Sequence, residues 1–308
     1  MAFSQGARSS LAYITETGFG QTPATPTLAS LPIKTHSLDL SKERLEGQDI
    51  QPDEMPRIDR HGNRSASGSI EVDLRKGDYD EFLESVMRST FVSDVLKVGT
   101  TPKFFTIEDA AEDIGQFRLF TGMTVSQASF NIAPNQMVET TFEMVGQNGV
   151  QQQTTASTGG AKTPISNNAP FDSYNGDIRE GGVTAGDIIS VVGSIEFSVN
   201  RGYAPTFVVG SDFAPQLENG RAVIEGTMSI YYQDSTLIDK FLNEEETEIT
   251  VTVDDPSQAN AYTFYFPRVK YNGSSVPLAN PQSRMVEIPF VSLYDQTEDS
   301  NLVITRTP

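Results

Sequence analysis

The sequence predicts a mainly β protein made of two tandem copies of one β-sandwich, each with one short flanking α-helix. Three observations predict it. Apolar and polar residues alternate with period two through much of the chain. Helical spacing is confined to two short stretches. Four blocks of sequence recur, in the same order, about 150 residues apart.

The first block is Ser37-Leu-Asp-Leu-Ser-Lys-Glu-Arg44, matched by Ser194-Ile-Glu-Phe-Ser-Val-Asn-Arg201 at an offset of 157. Gly68-Ser-Ile-Glu-Val-Asp-Leu74 faces Gly226-Thr-Met-Ser-Ile-Tyr-Tyr232 at 158, and Asp80-Glu-Phe-Leu83 faces Asp239-Lys-Phe-Leu242 at 159. Last, MVETTF at Met137–Phe142 returns as MVEIPF at Met285–Phe290, offset 148. The drop in offset places extra residues in the first copy, within Arg88–Gln116. The chain therefore divides into an extended N-terminal arm (1–32), a first repeat (33–146), a flexible Gln/Thr/Gly-rich linker (147–187) and a second repeat (188–308).

Each copy opens on a strand in which Leu38 and Leu40, or Ile195, Phe197 and Val199, alternate with polar residues. A long polar excursion with Gly and Pro follows, at 42–66 and at 200–223. A second alternating strand carries Ile70, Val72 and Leu74, or Met228, Ile230 and Tyr232. A short helix comes next. Asp78 and Glu81 read as a capping box ahead of Phe82, Leu83, Val86 and Met87. In the second copy Thr236 precedes Leu237, Ile238, Phe241 and Leu242. Closing strands are expected at 103–108, 116–121, 123–132 and 137–145, and at 247–254, 262–269 and 285–293. The arm holds Pro23, Pro26 and Pro32 among Thr, Ala and Ser, and is expected to lie outside any core.

Composition excludes several classes. The 308 residues contain no Cys, so neither a disulfide scaffold nor thiol chemistry is available. No apolar run approaches the ~18 residues of a membrane span. The net charge of −19 argues against free nucleic-acid binding, which needs an excess of Lys and Arg. His36 and His61 have no motif around them. Thr158-Gly-Gly-Ala-Lys-Thr163 lacks the frame of a phosphate loop, and no nucleophile elbow or H-E-x-x-H occurs. Acidic clusters at 108–113, 244–246 and 254–255 lack the rhythm of a calcium loop. No enzyme, cofactor or metal is expected.

The order of elements, with Tyr13-Ile-Thr-Glu-Thr-Gly-Phe-Gly-Gln-Thr-Pro23 followed by Leu38–Arg44, resembles the major tail tube proteins of long-tailed (siphovirus-type) bacteriophages, in the subgroup that carries the fold twice. The resemblance runs from Tyr13 to about Val303 and rests on order and spacing. It implies a virion protein, assembled in the host bacterial cytoplasm, whose rings stack into a hollow tube. Three duplicated chains would then make a pseudo-six-fold ring. It implies itself, the tail terminator, the tape measure and the distal tail proteins as partners. Double-stranded DNA would pass through without specific binding. It also implies that the excursions reach the adjacent ring, through Arg44, Glu46, Asp49, Asp53, Arg57 and Arg60 in the first and Arg201, Tyr203, Phe207 and Phe213 in the second.

Charge then acquires a physical reading. Asp39, Glu71, Asp73, Glu139 and Glu143 alternate with apolar neighbours, and Glu196 and Glu287 repeat Asp39 and Glu139. A sheet with one apolar and one acidic face buries the first; the second is either a solvated outer face or the lining of a lumen that repels phosphates. Alternatives are a tail terminator or baseplate ring protein of the same fold, and a carbohydrate-binding or adhesive β-sandwich that would use Tyr203, Phe207, Phe213, Tyr231 and Tyr232.

Overall fold

A computed structural model describes residues 3–50, 52–55, 57–153, 162–181, 187–188, 192–233, 236–257, 259–275 and 283–307. The first part of the chain forms β1 (Ser9–Thr15), β2 (Leu28–Leu31), β3 (Thr35–His36), β4 (Asp39–Glu46) and β5 (Asp59–Asp73), then helix α1 (Asp80–Met87). After it come β6 (Val95–Lys97), β7 (Phe105–Ala111), β8 (Gln116–Ile132), β9 (Glu139–Gly146) and β10 (Asn148–Gln153). The middle supplies β11 (Lys162–Thr163), β12 (Asp172–Glu180) and β13 (Asp187–Ile188). The second part forms β14 (Val192–Asn200), β15 (Ala204–Thr206), β16 (Gln216–Glu218) and β17 (Val223–Tyr231). It continues with α2 (Thr236–Leu242), β18 (Glu246–Asp254), β19 (Ala261–Tyr271), β20 (Met285–Ser292) and β21 (Val303–Arg306). The molecule is mainly β, as predicted.

One antiparallel path crosses both parts, in the spatial order β4-β5-β9-β8-β14-β17-β20-β19. The two halves of that path share a connectivity. In each, the first strand pairs with the second, the second with the last, and the last with the strand before it. Gly68 and Gly226 occupy like places. An added Cβ would lie 2.5 Å from the Ser37 carbonyl oxygen in one and 2.6 Å from that of Glu196 in the other, so only glycine fits. Gly68 also has φ of +151°. From these glycines the ladders run Ile70 to Phe142 and Met228 to Ile288. MVETTF and MVEIPF are thus displaced by two residues in the ladder. A two-residue shift keeps every side chain on its face.

Strand β8 belongs to two layers. Its first half pairs with β7 and β10, and its second half with β9 and β14. The outer layer runs β2-β1-β7-β8-β10. Between the layers lies one continuous core that includes Phe82, Phe105, Phe142, Phe130, Phe197, Phe264 and Phe290. The Phe130 and Phe197 rings stack at 4.7 Å across the β8·β14 pairing, where the halves meet.

Three expectations are corrected. The N-terminal arm is not outside the core: Leu11, Tyr13, Leu28 and Leu31 are buried, because β1 and β2 extend a sheet already formed by β7. The segment expected as a flexible linker carries paired strands: β10 lies on β8, β11 on β2 and β12 on β18. Residues 154–161, 182–186 and 189–191 of it lie outside the described residues. The capping box does not form. Helix α1 begins at Asp80 with no side-chain cap; Asp78 instead accepts from Ser166 and Glu81 from Thr15.

The two parts are also tied at the C-terminal strand, since β21 pairs with both β19 and β6. Asp80 at the start of α1 accepts the Tyr262 hydroxyl and pairs with Arg306. Arg306 donates from Nε to Asp94 at 2.7 Å and lies over Phe91, 4.4 Å from the ring centroid. Burial, then the Asp80 charge, drives the Tyr262 phenol well above its ordinary pKa, so it stays protonated and can donate.

One pairing is unfavourable. Asp172 stands directly opposite Asp254 in β12·β18. Burial first, then Asp177, Asp255 and Asp172, raises the Asp254 carboxyl above its ordinary pKa. The ionised form is therefore the destabilised one in the folded chain. Asp254→Asn is expected to stabilise by about 0.2–1 kcal/mol at pH 7, as removing facing like charges does. The advantage should fade as pH falls toward about 4, where the unfolded carboxylate also protonates. Thermal melts of both proteins at the two pH values measure it.

Candidate functional site

The pleat of β5, β9, β8, β14, β17 and β20 places apolar side chains in the core and polar ones on a single exposed face. Ile70, Phe142, Phe130, Phe197, Met228 and Phe290 are buried on the core side. On the other face the register aligns Asp73, Glu139, Asn131, Glu196, Thr227 and Pro289 in one row across six strands. A second row runs Glu71, Thr141, Ser129, Ser198, Glu225 and Val291. A third joins Ser69, Glu143, Gln127 and Asn200. Asp39 sits one strand further out, opposite Ser67. Glu287 lies opposite Ser229.

All seven acids singled out from the sequence thus share one face. Glu225 joins them and carried no signal in the sequence, because it lies one residue before the repeated block that starts at Gly226. The face is hollowed. A shallow concavity of about 600 Å³ spans strands from β9 to β20 and is lined by Glu139, Glu196, Glu225, Ser129, Ser198 and Asn272, among others. No Lys or Arg occurs in residues 65–73 and 124–132 or in β9, β14, β17 and β20.

The acids differ in their surroundings. Glu143, Glu196 and Glu287 are exposed. Glu71 accepts the Thr35 hydroxyl at 2.9 Å. Asp39 lies 3.7 Å from Arg118. Asp73 and Glu139, directly opposite each other, share Lys34, whose ammonium is 3.4 Å from Asp73 and hydrogen-bonded to Glu139. That hydrogen bond, ahead of Asp73, raises the Lys34 pKa and keeps it charged. Lys34 precedes the alternating strands, so its place over the face depended on a register that local pattern does not reveal.

The excursions were read as loops. The first is a β-hairpin, since β4 and β5 remain paired from Asp39 opposite Ser67 to Glu46 opposite Asp59. Arg44, Glu46, Asp49, Asp53, Arg57 and Arg60 all lie on its exposed end. Arg44 bonds Asp59 at 2.8 Å and Arg57 bonds Asp53 at 2.6 Å. Leu45, Ile50, Met55 and Ile58 are exposed there as well. The second excursion makes its own two-stranded sheet, β15·β16. Arg201 departs from the expectation of a tip residue: it is 4% exposed at the end of β14 and donates from Nη2 to the Gly99 carbonyl at 3.1 Å. Tyr203 and Phe207 are partly buried. Phe213 lies beneath Arg64 of the hairpin, 5.8 Å from guanidinium to ring centroid, and Arg64 also pairs with Asp212 at 3.1 Å. The two excursions therefore touch within one chain.

A family model described as phage tail tube protein matches residues 6–292. The chain belongs to the phage tail tube protein family. The match covers both halves of the shared sheet path and the polar face between them. No curated protein matches the chain. A tail tube protein is a structural component of the virion that self-assembles into the tube, and β-rich architecture suits that role. Among the described residues, no helix is long and apolar enough to cross a membrane, and no group of three His, Cys, Asp or Glu side chains is placed to hold a metal ion. The polar face offers spaced carboxylates, hydroxyls and amides.

Proposed function

We propose that the chain contains the tube fold twice, that three chains close a pseudo-six-fold ring, and that stacked rings form a tail tube with the polar face toward the lumen. The observation that carries this reading is the eight-strand antiparallel path, whose halves repeat one connectivity and whose exposed face carries eight carboxylates among hydroxyls and amides. Three chains contribute 24 strands. At about 4.8 Å per strand the wall is roughly 115 Å around and about 37 Å across at the backbone. That exceeds the 16–18-stranded barrels that leave an aqueous channel.

Carboxylates along such a wall repel phosphates, and the hydroxyls and amides between them bind only weakly. DNA therefore slides rather than sticks. Lys34 bridges Asp73 and Glu139, which lowers the repulsion between two facing acids during ring assembly. The hairpin end, with Leu45, Ile50, Met55 and Ile58 uncovered, supplies the contact to the next ring. The tail terminator, tape measure and distal tail proteins are the partners this role requires. Host cytoplasmic assembly and genome ejection through the bore follow from the same reading.

Electron microscopy of the purified protein, concentrated at low salt, tests it. Rings and tubes with three-fold averages in end view are expected. Isolated globules at every concentration, or rings whose symmetry is not a multiple of three, would overturn it.

A further inference from the structure

The two ends of the eight-strand path are open. At one end, β4 pairs with β5 alone among the described residues. At the other, β19 leaves β18 after Lys270 and continues along β20 as residues 272–275. Asn272 donates to the Pro289 carbonyl at 2.8 Å, and Ser275 and Glu287 exchange two hydrogen bonds of 3.0 Å. Among the described residues no strand lies beyond them. Open edges of this kind are templates for pairing.

The chain also holds a finished seam. β8 is the last inner strand of the first half and β14 the first of the second, and they pair from Ile132 opposite Ile195 to Gln127 opposite Asn200. By the shared connectivity, β4 is the counterpart of β14, and β19 with its extension is the counterpart of β8. The open edges are therefore the two sides of the seam that the chain has already built once.

We infer that the β8·β14 pairing is an internal copy of the seam between chains, and that residues 39–41 of one copy pair antiparallel with residues 272–275 of the next. The inference rests on the ring-forming reading above and adds the edges and the register. The register follows from the matched glycines. Phe197 stands opposite Gly226, and Leu38, one position before the Asp39–Ser67 pair, stands opposite Gly68. Ser198 and Asn200 therefore correspond to Asp39 and Ser41. On the other side, Glu143 and Thr141 face Gln127 and Ser129, while Pro289 and Glu287 meet Asn272 and Ser275. Carrying the internal pairs across sets Ser41 opposite Asn272 and Asp39 opposite Ser275.

The chemistry agrees. In the internal seam Asn200 donates to the Gln127 side chain at 2.8 Å, and Ser198 faces Ser129. In the intermolecular seam an amide, Asn272, again meets a small polar group, Ser41. Asp39 meets the Ser275 hydroxyl, which can donate to it. Both pairs lie on the polar face, so the lumen wall continues without a break in its alternation.

The chain has no cysteine, so engineered ones report contacts cleanly. Asp39→Cys with Ser275→Cys, and separately Ser41→Cys with Asn272→Cys, put thiols at cross-strand positions whose ~4.5–5.5 Å Cα spacing suits a disulfide. Mild oxidation of assembled protein should convert most chains into reducible dimers and trimers on a non-reducing gel. The trimer should be the largest species. Arg57→Cys with Ser275→Cys should stay monomeric. Assembled tubes in which both pairs stay uncrosslinked, or in which the Arg57 control links equally well, overturn the seam and leave the tube reading intact. Failure of the unmodified chain to form rings is the separate result that removes the tube reading.

Discussion

Replacing Glu143, Glu196 and Glu287 by lysine is expected to turn tubes that release DNA into tubes that hold it. These three acids are the ones to invert because they face solvent. Inverting Asp73 or Glu139 would instead break the contact with Lys34 and mix a packing effect with a charge effect. Wild-type tubes should leave a short duplex in the supernatant at any salt. Variant tubes should carry it into the pellet at 50 mM salt. If six to ten phosphates are engaged, affinity should fall by about 10³–10⁵ on raising salt to 200 mM. Variant tubes that leave the duplex unbound at 50 mM salt would remove the electrostatic argument for a lumen-facing assignment.

The second large effect concerns stability. Phe197 is 3% exposed and sits where the halves join, with Phe130 at 4.7 Å, Phe264 at 5.1 Å and Phe266 at 5.2 Å between ring centroids. Phe197→Ala should cost about 3–5 kcal/mol, the sum of lost burial and the cavity left behind. Chemical denaturation measures it. The loss should appear as one transition moved to lower denaturant, because β21·β6 and the Asp80–Tyr262–Arg306 contacts also join the halves. A double-mutant cycle with Phe130→Ala should return a coupling of about 0.5–1.5 kcal/mol. Tyr231→Ala, at an exposed site on the polar face, should stay within about 0.5 kcal/mol of wild type. A loss of that small size at Phe197 would mean that the seam is not a packed one.

Much of the polar face was legible because alternation is local. Ile70-Glu71-Val72-Asp73 states both faces in four residues, and period two puts each acid on the side opposite its apolar neighbours. Glu225 was lost for an equally local reason. Gly226 reads as a break in a strand, whereas here it is what lets the Glu196 carbonyl approach. Non-local pairing was the harder part. The arm's Pro-rich composition hid β1 and β2, since a strand added to an existing sheet needs a few apolar residues and no core of its own. The Gln-rich stretch hid β10 in the same way. Arg201 looked like a surface residue because nothing nearby in sequence announces the Gly99 carbonyl that receives it. Lys34 gave no signal at all, since its acids lie on two strands that only the fold brings together.

Strand β8 passes from the outer layer to the polar face with no turn between the two. It joins the two layers as one strand, bent at Gly122, whose φ is +66°. A displacement at Phe117–Thr121 reaches Gln127–Asn131 through one covalent strand whose pairing with β7 and with β9 shifts register between the two stretches. In the ring proposed above, this covalent link limits how far one layer can shear past the other. The junctions between stacked rings are then left as the places where the shaft flexes.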